Sequence, residues 1–225
     1  MLKEKLEQVE SRIAKAAERA GRRRLDITLL AVTKKFPAAV IRDAYELGLR
    51  DFGENYVQEF ERKLPELAMC QDARFQLIGH LQSNKSKKAA EIFQVIQTVD
   101  TPKLARRLND EVGETVGRAA LDVMIEVKLS DEEAKSGAPP EQVPALVEAI
   151  HGCANLRLLG LMTIPPWSED PEKSRPYFVR LKALADANRL AQLSMGMSND
   201  FEAAIEEGAT TVRIGTALFG PRKKE

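Results

Sequence analysis

Two adjacent lysines follow the first long apolar run of the chain. The run spans residues 27–33 and leads directly into Lys34 and Lys35. A lysine that is partly removed from water has a lowered pKa, and its uncharged amine attacks carbonyl carbons. Because neighbouring side chains of a strand point to opposite sides, one of the two lysines should point inward. The alternative is that both amines extend into solvent while their carbon chains are buried.

Small and hydroxyl-bearing residues end the last two apolar runs. Ser198 and Asn199 follow one of them, and Gly215 and Thr216 end the other. Such turns offer backbone N–H groups and a hydroxyl, and barrels of parallel strands often bind phosphate in this way near a helix N-terminus. The alternatives are that Ser198 and Asn199 cap a helix and that Gly215 relieves crowding. The sequence permits a phosphate site here without requiring one.

One permanent cation, Arg213, lies within the last apolar run. A buried guanidinium needs hydrogen-bond acceptors. One hypothesis is an ion pair with an inward carboxylate such as Glu54 or Glu126. The other is that Arg213 donates to a ligand atom at the mouth of the fold.

Two further polar residues, Asn55 and His80, follow the second and third apolar runs. Both are candidates for lining the same pocket as Lys34. A turn rich in Asn, Ser and His would look similar with no ligand, so their residue types alone leave both interpretations open.

Eight apolar runs alternate with helix-length segments along the chain. Most of these runs are apolar at nearly every position, which is typical of parallel strands covered by helices on both faces. Eight strands with a helix after nearly every one predict a closed (β/α)8 TIM-type barrel, an α/β fold. The runs are 27–33, 51–54, 75–79, 95–99, 121–129, 156–164, 193–197 and 211–215.

An extra amphipathic helix is predicted before the first strand, over Leu2–Arg19, because its apolar residues recur at steps of three and four. The main rival fold is an open doubly wound sheet, which usually has a Gly-rich first turn that this sequence lacks. We find no linker, low-complexity tract or internal repeat, so the sequence predicts a single domain over residues 1–225.

The composition excludes several classes of protein. Of 225 residues, 34 are Lys or Arg and 34 are Asp or Glu, so the net charge is +0 and no long-range field attracts nucleic acid or an anionic membrane. No apolar stretch reaches the roughly eighteen residues of a membrane span, and no signal peptide is evident, so we expect a cytoplasmic protein. Cys70 and Cys153 lack zinc-ligand spacing and should be reduced thiols, and we expect no metal site.

Six motifs in order along the chain resemble the pyridoxal phosphate homeostasis protein family, and together they span nearly the whole sequence. The motifs are LAVTK at 30–34, FGENY at 52–56, IGHLQSNK at 78–85, GLM at 160–162, SMGMSND at 194–200 and VRIGTALFG at 212–220. The resemblance implies one barrel related to the N-terminal domain of alanine racemase, which holds pyridoxal 5'-phosphate (PLP) as a Schiff base.

The resemblance also implies a role for individual residues. Lys34 is the position of the lysine that carries PLP, and Arg213 is the position of the arginine that faces the pyridine nitrogen. Asn55 and His80 lie in motifs near the ring. The phosphate-binding positions are Ser198, Gly215 and Thr216.

An arginine at the pyridine nitrogen disfavours protonation of that nitrogen, which makes PLP a weaker electron sink. The chain ends nine residues after Thr216, so we expect no second domain of the kind that completes alanine racemase. The resemblance then implies a monomer that buffers PLP and passes it to PLP-dependent apo-enzymes with little or no turnover. The alternatives are a PLP-dependent amino-acid racemase-like enzyme and a Schiff-base aldolase or phosphosugar isomerase.

Overall fold

Eight parallel strands close into a barrel in the computed structural model, which describes residues 1–115, 117, 119–130, 132 and 136–221. Each strand pairs with the next one along the chain, and the last pairs with the first. The strands are β1 Thr28–Val32, β2 Asp51–Glu54, β3 Arg74–Leu77, β4 Val95–Val99, β5 Leu121–Glu126, β6 Leu156–Met162, β7 Gln192–Met197 and β8 Thr211–Ile214.

Pairing between β1 and β8 decides between the two folds considered from the sequence. Thr28 lies opposite Thr211 and Ala31 lies opposite Ile214, both in a parallel register. An open doubly wound sheet would leave two unpaired edges, so that alternative is wrong. The predicted (β/α)8 barrel is confirmed, and all eight strands fall within or next to the predicted runs.

Helices follow the strands and cover the outside of the barrel. The sequence signal for a helix start at Thr101 and Pro102 is confirmed. Thr101 accepts a hydrogen bond from the N–H of Leu104 at 3.2 Å and so caps the helix that begins at Pro102. The helices of the described residues are α1 Leu2–Arg19, α2 Ala38–Glu46, α3 Val57–Lys63, α4 Ser86–Ile92, α5 Pro102–Gly113, α6 Val143–His151, α7 Arg175–Ala187, α8 Phe201–Glu206 and α9 Thr216–Phe219.

The predicted N-terminal helix is confirmed as α1, and it packs on α8 and α9. Its buried stripe includes Val9 and Ile13. Arg12 lies over the ring of Phe201, 4.5 Å from the ring centroid, and pairs with Glu202 at 2.8 Å. Because α9 follows β8 directly, α1 supports the element that carries one of the predicted phosphate-binding residues.

Apolar residues of the strands and the inner helix faces form one large core, which is typical of strands covered by helices. Leu30, Val32 and Ile78 form a second, smaller cluster. In the described part of the chain, no helix is both long enough and apolar enough to span a bilayer.

Candidate cofactor site

A cavity of about 220 Å³ opens at the carboxyl ends of the strands. This is the end at which barrels of parallel strands carry their functional loops. Six of the seven residues singled out from the sequence line this cavity: Lys34, Asn55, Ser198, Arg213, Gly215 and Thr216.

Lys34 follows β1 and is held by the residue before it. The N–H of Thr33 donates to the carbonyl oxygen of Gly53 at 3.0 Å, and its hydroxyl donates to Oε1 of Glu54 at 2.7 Å. Lys63 Nζ donates to the carbonyl oxygen of Thr33 at 3.1 Å and to Glu54 at 2.8 Å. Burial raises the pKa of Glu54, and the nearby Lys63 partly opposes that rise. This buried network fixes the backbone from which Lys34 reaches the cavity.

Lys35 differs from Lys34 in conformation and exposure. Its backbone adopts a left-handed conformation with φ of 63°, and its side chain is exposed. Its N–H donates to Oε1 of Glu59 at 2.6 Å, which stabilises this unusual turn. Of the two adjacent lysines, Lys34 is therefore the one that lines the cavity.

The Ser198 hydroxyl joins the turns that follow β7 and β8. It accepts hydrogen bonds from the N–H groups of Gly215 at 3.3 Å and Ala217 at 3.2 Å. A hydroxyl has two acceptor sites and one hydrogen. Because the two N–H groups use both acceptor sites, the Ser198 hydroxyl can still donate its hydrogen to a ligand. Asp200, not Ser198 or Asn199, occupies the cap position of α8, so the cap alternative is wrong for both.

Backbone donors lie beside this hydroxyl. Within the described residues, the N–H groups of Ser198 and Thr216 have no hydrogen-bond acceptor. Two N–H groups and a hydroxyl hydrogen at one end of a cavity form a site for an anionic oxygen.

Arg213 is buried and is held by neutral acceptors. Nη1 donates to the carbonyl oxygen of Ser194 at 2.7 Å and to its hydroxyl at 2.8 Å, and Nη2 donates to the carbonyl oxygen of Thr163 at 2.7 Å. Burial lowers the pKa of Arg213 to about 10, although Asp200 and Glu126 act in the opposite direction. Of the two hypotheses for Arg213, the ion pair with Glu54 or Glu126 is not found. Glu54 pairs with Lys63, and no carboxylate oxygen of a described residue lies within 4.0 Å of the Arg213 guanidinium.

A chain of hydrogen bonds extends from Arg213 across the barrel interior. The Ser194 hydroxyl donates to Oε1 of Gln97 at 2.6 Å, and Nε2 of Gln97 donates to Oε1 of Gln76 at 2.6 Å. Gln76 then donates to Oδ1 of Asp51 at 2.8 Å, at the amino end of β2. The chain joins five strands and restricts the position of the Ser194 acceptors that hold Arg213.

Asn55 follows β2 and lines the cavity. A Cβ atom on Gly79 would lie 2.3 Å from the carbonyl oxygen of Asn55, so only glycine at position 79 lets the two turns approach this closely. The side-chain Oδ1 of Asn55 is buried and has no hydrogen-bond partner among the described residues. Such an atom is expected to meet a donor from a ligand or water.

His80 is the one predicted residue that lies outside the first cavity. It lines an adjoining cavity of about 180 Å³ and is exposed, with Nδ1 3.7 Å from Oδ2 of Asp100. Glu126 lines the same second cavity. The structure does not bring His80 together with Ser198 and Thr216.

Two residues that line these cavities were not predicted to be site residues. Trp167 lines the first cavity and is 75% exposed. From the sequence, Glu126 is a candidate only for an ion pair with Arg213. A carboxylate at the carboxyl end of an otherwise largely apolar strand is a usable signal for Glu126, whereas nothing in the sequence near Trp167 indicates a cavity.

Comparison with known proteins places the chain in a family. Residues 5–223 match the family described as "Alanine racemase, N-terminal domain". A pyridoxal phosphate homeostasis protein from Pseudomonas aeruginosa is 48% identical over 221 residues, which are 97% of this chain and 95% of that protein. A protein of the same name from Aquifex aeolicus is 46% identical over 228 residues, or 98% of each chain.

A solved structure supports the same relationship. PipY of Synechococcus elongatus PCC7942, whose structure has PLP bound, is 36% identical, with a TM-score of 0.86 over 98% of this chain and 100% of that one. The chain belongs to the pyridoxal phosphate homeostasis proteins, within the alanine racemase N-terminal domain family.

Proposed function

We propose that this protein binds PLP through Lys34, keeps its reactive aldehyde masked as a Schiff base and passes it to PLP-dependent apo-enzymes, with little or no turnover. The observation that carries the proposal is a single cavity with an amine-bearing side chain, Lys34, and an anion-binding turn formed by Ser198 and Thr216. The relatives' names and the PLP in PipY support the choice of ligand.

The donors of the cavity fit a phosphate group. The hydroxyl hydrogen of Ser198 and the N–H groups of Ser198 and Thr216 are donors that the described residues leave for a ligand. Gly215, between β8 and α9, lines the cavity with no side chain in the way. These residues bind and orient the dianion, and the ring then extends toward Arg213 and Asn55.

Arg213 bears on whether the protein is a catalyst. PLP supplies an aldehyde that forms imines with amines and a ring that accepts electrons when its nitrogen is protonated. A guanidinium has donors and no acceptor, so Arg213 stabilises an unprotonated ring nitrogen. The chain of hydrogen bonds through Ser194 and Gln97 holds this donor in place. A site of this kind suits storage of PLP better than stabilisation of a carbanion.

Borohydride reduction followed by peptide mapping tests the binding half of the proposal. Reduction makes the bond between PLP and its lysine permanent, so we expect one modified peptide, with PLP on Lys34. Lys34→Ala should lose the modification, and the control Lys35→Ala, which changes the exposed neighbour, should keep it. A colourless purified protein, or PLP attached to another residue, would contradict the assignment and favour the aldolase or isomerase alternative.

Deuterium exchange tests the absence of turnover. We expect no exchange at Cα when the PLP-loaded protein is incubated with L-amino acids in deuterated water. Appreciable exchange or racemisation would favour the racemase-like alternative, in which a carboxyl such as Glu126 serves as the base.

The remaining parts of the proposal concern the whole chain. We propose that residues 1–225 form one PLP-binding domain that acts as a monomer in the cytoplasm. Cys70 and Cys153 are both buried thiols with no disulfide, which suits a reducing compartment. Size-exclusion chromatography with light scattering, with and without PLP, tests the monomer.

A further inference from the structure

The second cavity adjoins the proposed PLP pocket. The two cavities share Asn55, Ile78 and Ile164 as lining residues, so a group in one lies next to a group in the other. Glu126 lines the second cavity only. The proposed binding of PLP uses no group of the second cavity beyond these shared residues.

Two buried acceptors without donors line this second cavity. Glu126 is 6% exposed, and its Oε2 has no hydrogen-bond partner in the described part of the chain. Oδ1 of Asn55 is buried and equally lacks a partner there. Buried oxygens in proteins almost always accept a hydrogen bond, because an unsatisfied acceptor costs free energy. The cavity therefore calls for a ligand rich in N–H or O–H donors.

The charge of the groups that line the second cavity indicates which class of ligand it would bind. Glu126 contributes a carboxylate, and the other orphaned oxygen is a neutral carbonyl, so a cationic donor matches both. A primary ammonium has a positive charge and three N–H donors on one small atom. We infer that the second cavity binds the primary ammonium group of an incoming amine, held by Glu126 and Asn55 beside the PLP pocket. This inference rests on the proposed function.

The site gives the amine access to PLP. Glu126 can accept one proton from the ammonium, which leaves a neutral amine. The amine nitrogen then forms a bond to the aldehyde carbon as the bond from that carbon to Lys34 Nζ breaks, and the amine's two hydrogens end on Nζ. Nothing is oxidised or reduced in this exchange. Glu126 would thereby couple the arrival of an amine to the release of PLP.

Amine binding should depend on pH. Burial and the nearby Asp100 raise the pKa of Glu126 to about 7, whereas Arg213 acts in the opposite direction. His80 and Lys128 are the other charged or titratable groups that line the cavity. Because an ammonium binds the ionised carboxylate, affinity should rise as the pH increases through about 7 and level off above it, where Glu126 is fully ionised.

Ligand-observed NMR titration with methylammonium tests the site on the PLP-free protein and on the PLP-loaded protein. Glu126→Gln keeps the shape and removes the charge, so we expect at least a tenfold loss of methylammonium affinity. Asp122→Asn is the matched control, because it makes the same change on β5 at the opposite end of the barrel, and it should leave the affinity unchanged. Tetramethylammonium, which has the charge but no N–H, should bind at least tenfold more weakly than methylammonium.

Two further probes identify the source of the amine. Tighter binding of glycine than of methylammonium would point to a free amino acid, and tighter binding of Nα-acetyl-lysine amide would point to a lysine side chain of an acceptor protein. Equal affinities of methylammonium and tetramethylammonium, or an unchanged affinity in Glu126→Gln, would overturn the inference. If Glu126→Gln does not fold, the rise of wild-type affinity with pH decides, and a flat profile overturns it.

The experiments on amine binding and the experiments on the proposed function can succeed or fail independently of each other. Titration of the PLP-free protein does not require PLP to bind, and borohydride mapping of Lys34 does not require an amine to bind. Amine binding without PLP on Lys34 would leave the second cavity assigned and the proposed function wrong.

Discussion

The Ser198 hydroxyl connects the two turns that we propose bind the phosphate of PLP. Replacing it with alanine removes one donor to the phosphate and also releases the N–H groups of Gly215 and Ala217. A hydrogen bond to a charged group contributes about 1.5–3 kcal/mol, so Ser198→Ala should weaken PLP binding by about tenfold or more. Equilibrium titration of PLP absorbance measures this loss.

Pyridoxal provides the control for that prediction, because it has the aldehyde and the ring without the phosphate. Ser198→Ala should change pyridoxal affinity by less than about twofold. Equal losses for PLP and pyridoxal would mean that Ser198 supports the ring or Lys34 rather than the phosphate.

Glu126 should make stability depend on pH. Its pKa is raised from 4.5 in the unfolded chain to about 7 in the folded protein. Between pH 4.5 and about pH 7, the folded state therefore binds more protons than the unfolded state. Stability therefore falls as the pH rises through this range, because the buried carboxylate must ionise. We expect Glu126→Gln to be more stable than the wild type at pH 8, by about 2 kcal/mol, with a smaller gain at pH 5.

Urea unfolding of both proteins at the two pH values measures this difference. Asp122→Asn is again the control, since Asp122 is paired with Arg157 at 2.6 Å and should gain no stability when neutralised. A gain for Glu126→Gln that is the same at pH 5 and pH 8 would show that ionisation of Glu126 is not its cause.

At the scale of the elements, the hydrogen bonds inside the barrel link β2, β3, β4, β7 and β8. Gln97 is the central link, because it accepts from the Ser194 hydroxyl and donates to Gln76. Gln97→Leu would leave the hydroxyl hydrogen of Ser194 and Oε1 of Gln76 buried without their present partners, at a cost of about 1–3 kcal/mol for each group. We expect a loss of about 2–4 kcal/mol in the free energy of unfolding.

Gln8→Leu is the comparison for Gln97→Leu, because Gln8 is exposed on α1 and the same substitution there removes no buried partner. Urea unfolding should show a change of less than about 0.5 kcal/mol for Gln8→Leu. Similar losses for the two variants would mean that the interior hydrogen bonds add little to stability.

The elements themselves could be predicted from local patterns. Continuous apolar runs indicated buried parallel strands, and Thr101 and Pro102 indicated the start of α5. The contacts between elements could not be predicted, because they join distant residues. Arg213 meets the carbonyl oxygen of Thr163, 50 positions away, and a backbone acceptor has no signature in the sequence.

The candidate site likewise combines features that the sequence predicts with features that depend on tertiary packing. Spacing placed Lys34 and Lys35 at the end of β1 but could not choose between them, and the choice depends on a left-handed turn held by Glu59. The family motifs indicated positions around one cavity, and the structure places six of them there. Glu126 was missed as a site residue because the orphaned state of its oxygen is a property of packing.

At the scale of the whole molecule, the barrel is closed by residues from the two ends of the described chain. Pairing of β1 with β8 and packing of α1 on α8 and α9 tie the turns proposed to bind phosphate to the segment that carries Lys34. A ligand that contacts both regions should therefore stabilise the entire barrel. Binding to the folded state alone adds about 2.7 kcal/mol at a ligand concentration one hundred times Kd.

For a chain of this size, that increment should raise the Tm by about 5–10 °C in a single cooperative transition. Differential scanning calorimetry with and without PLP measures the shift. Lys34→Ala at the same PLP concentration should show a much smaller shift, because the proposed covalent link is lost. Pyridoxine, which has no aldehyde, should give little shift in either protein. Two separated transitions, or an equal shift in Lys34→Ala, would contradict the view that Lys34 and the phosphate-binding turns act on PLP as parts of one cooperative unit.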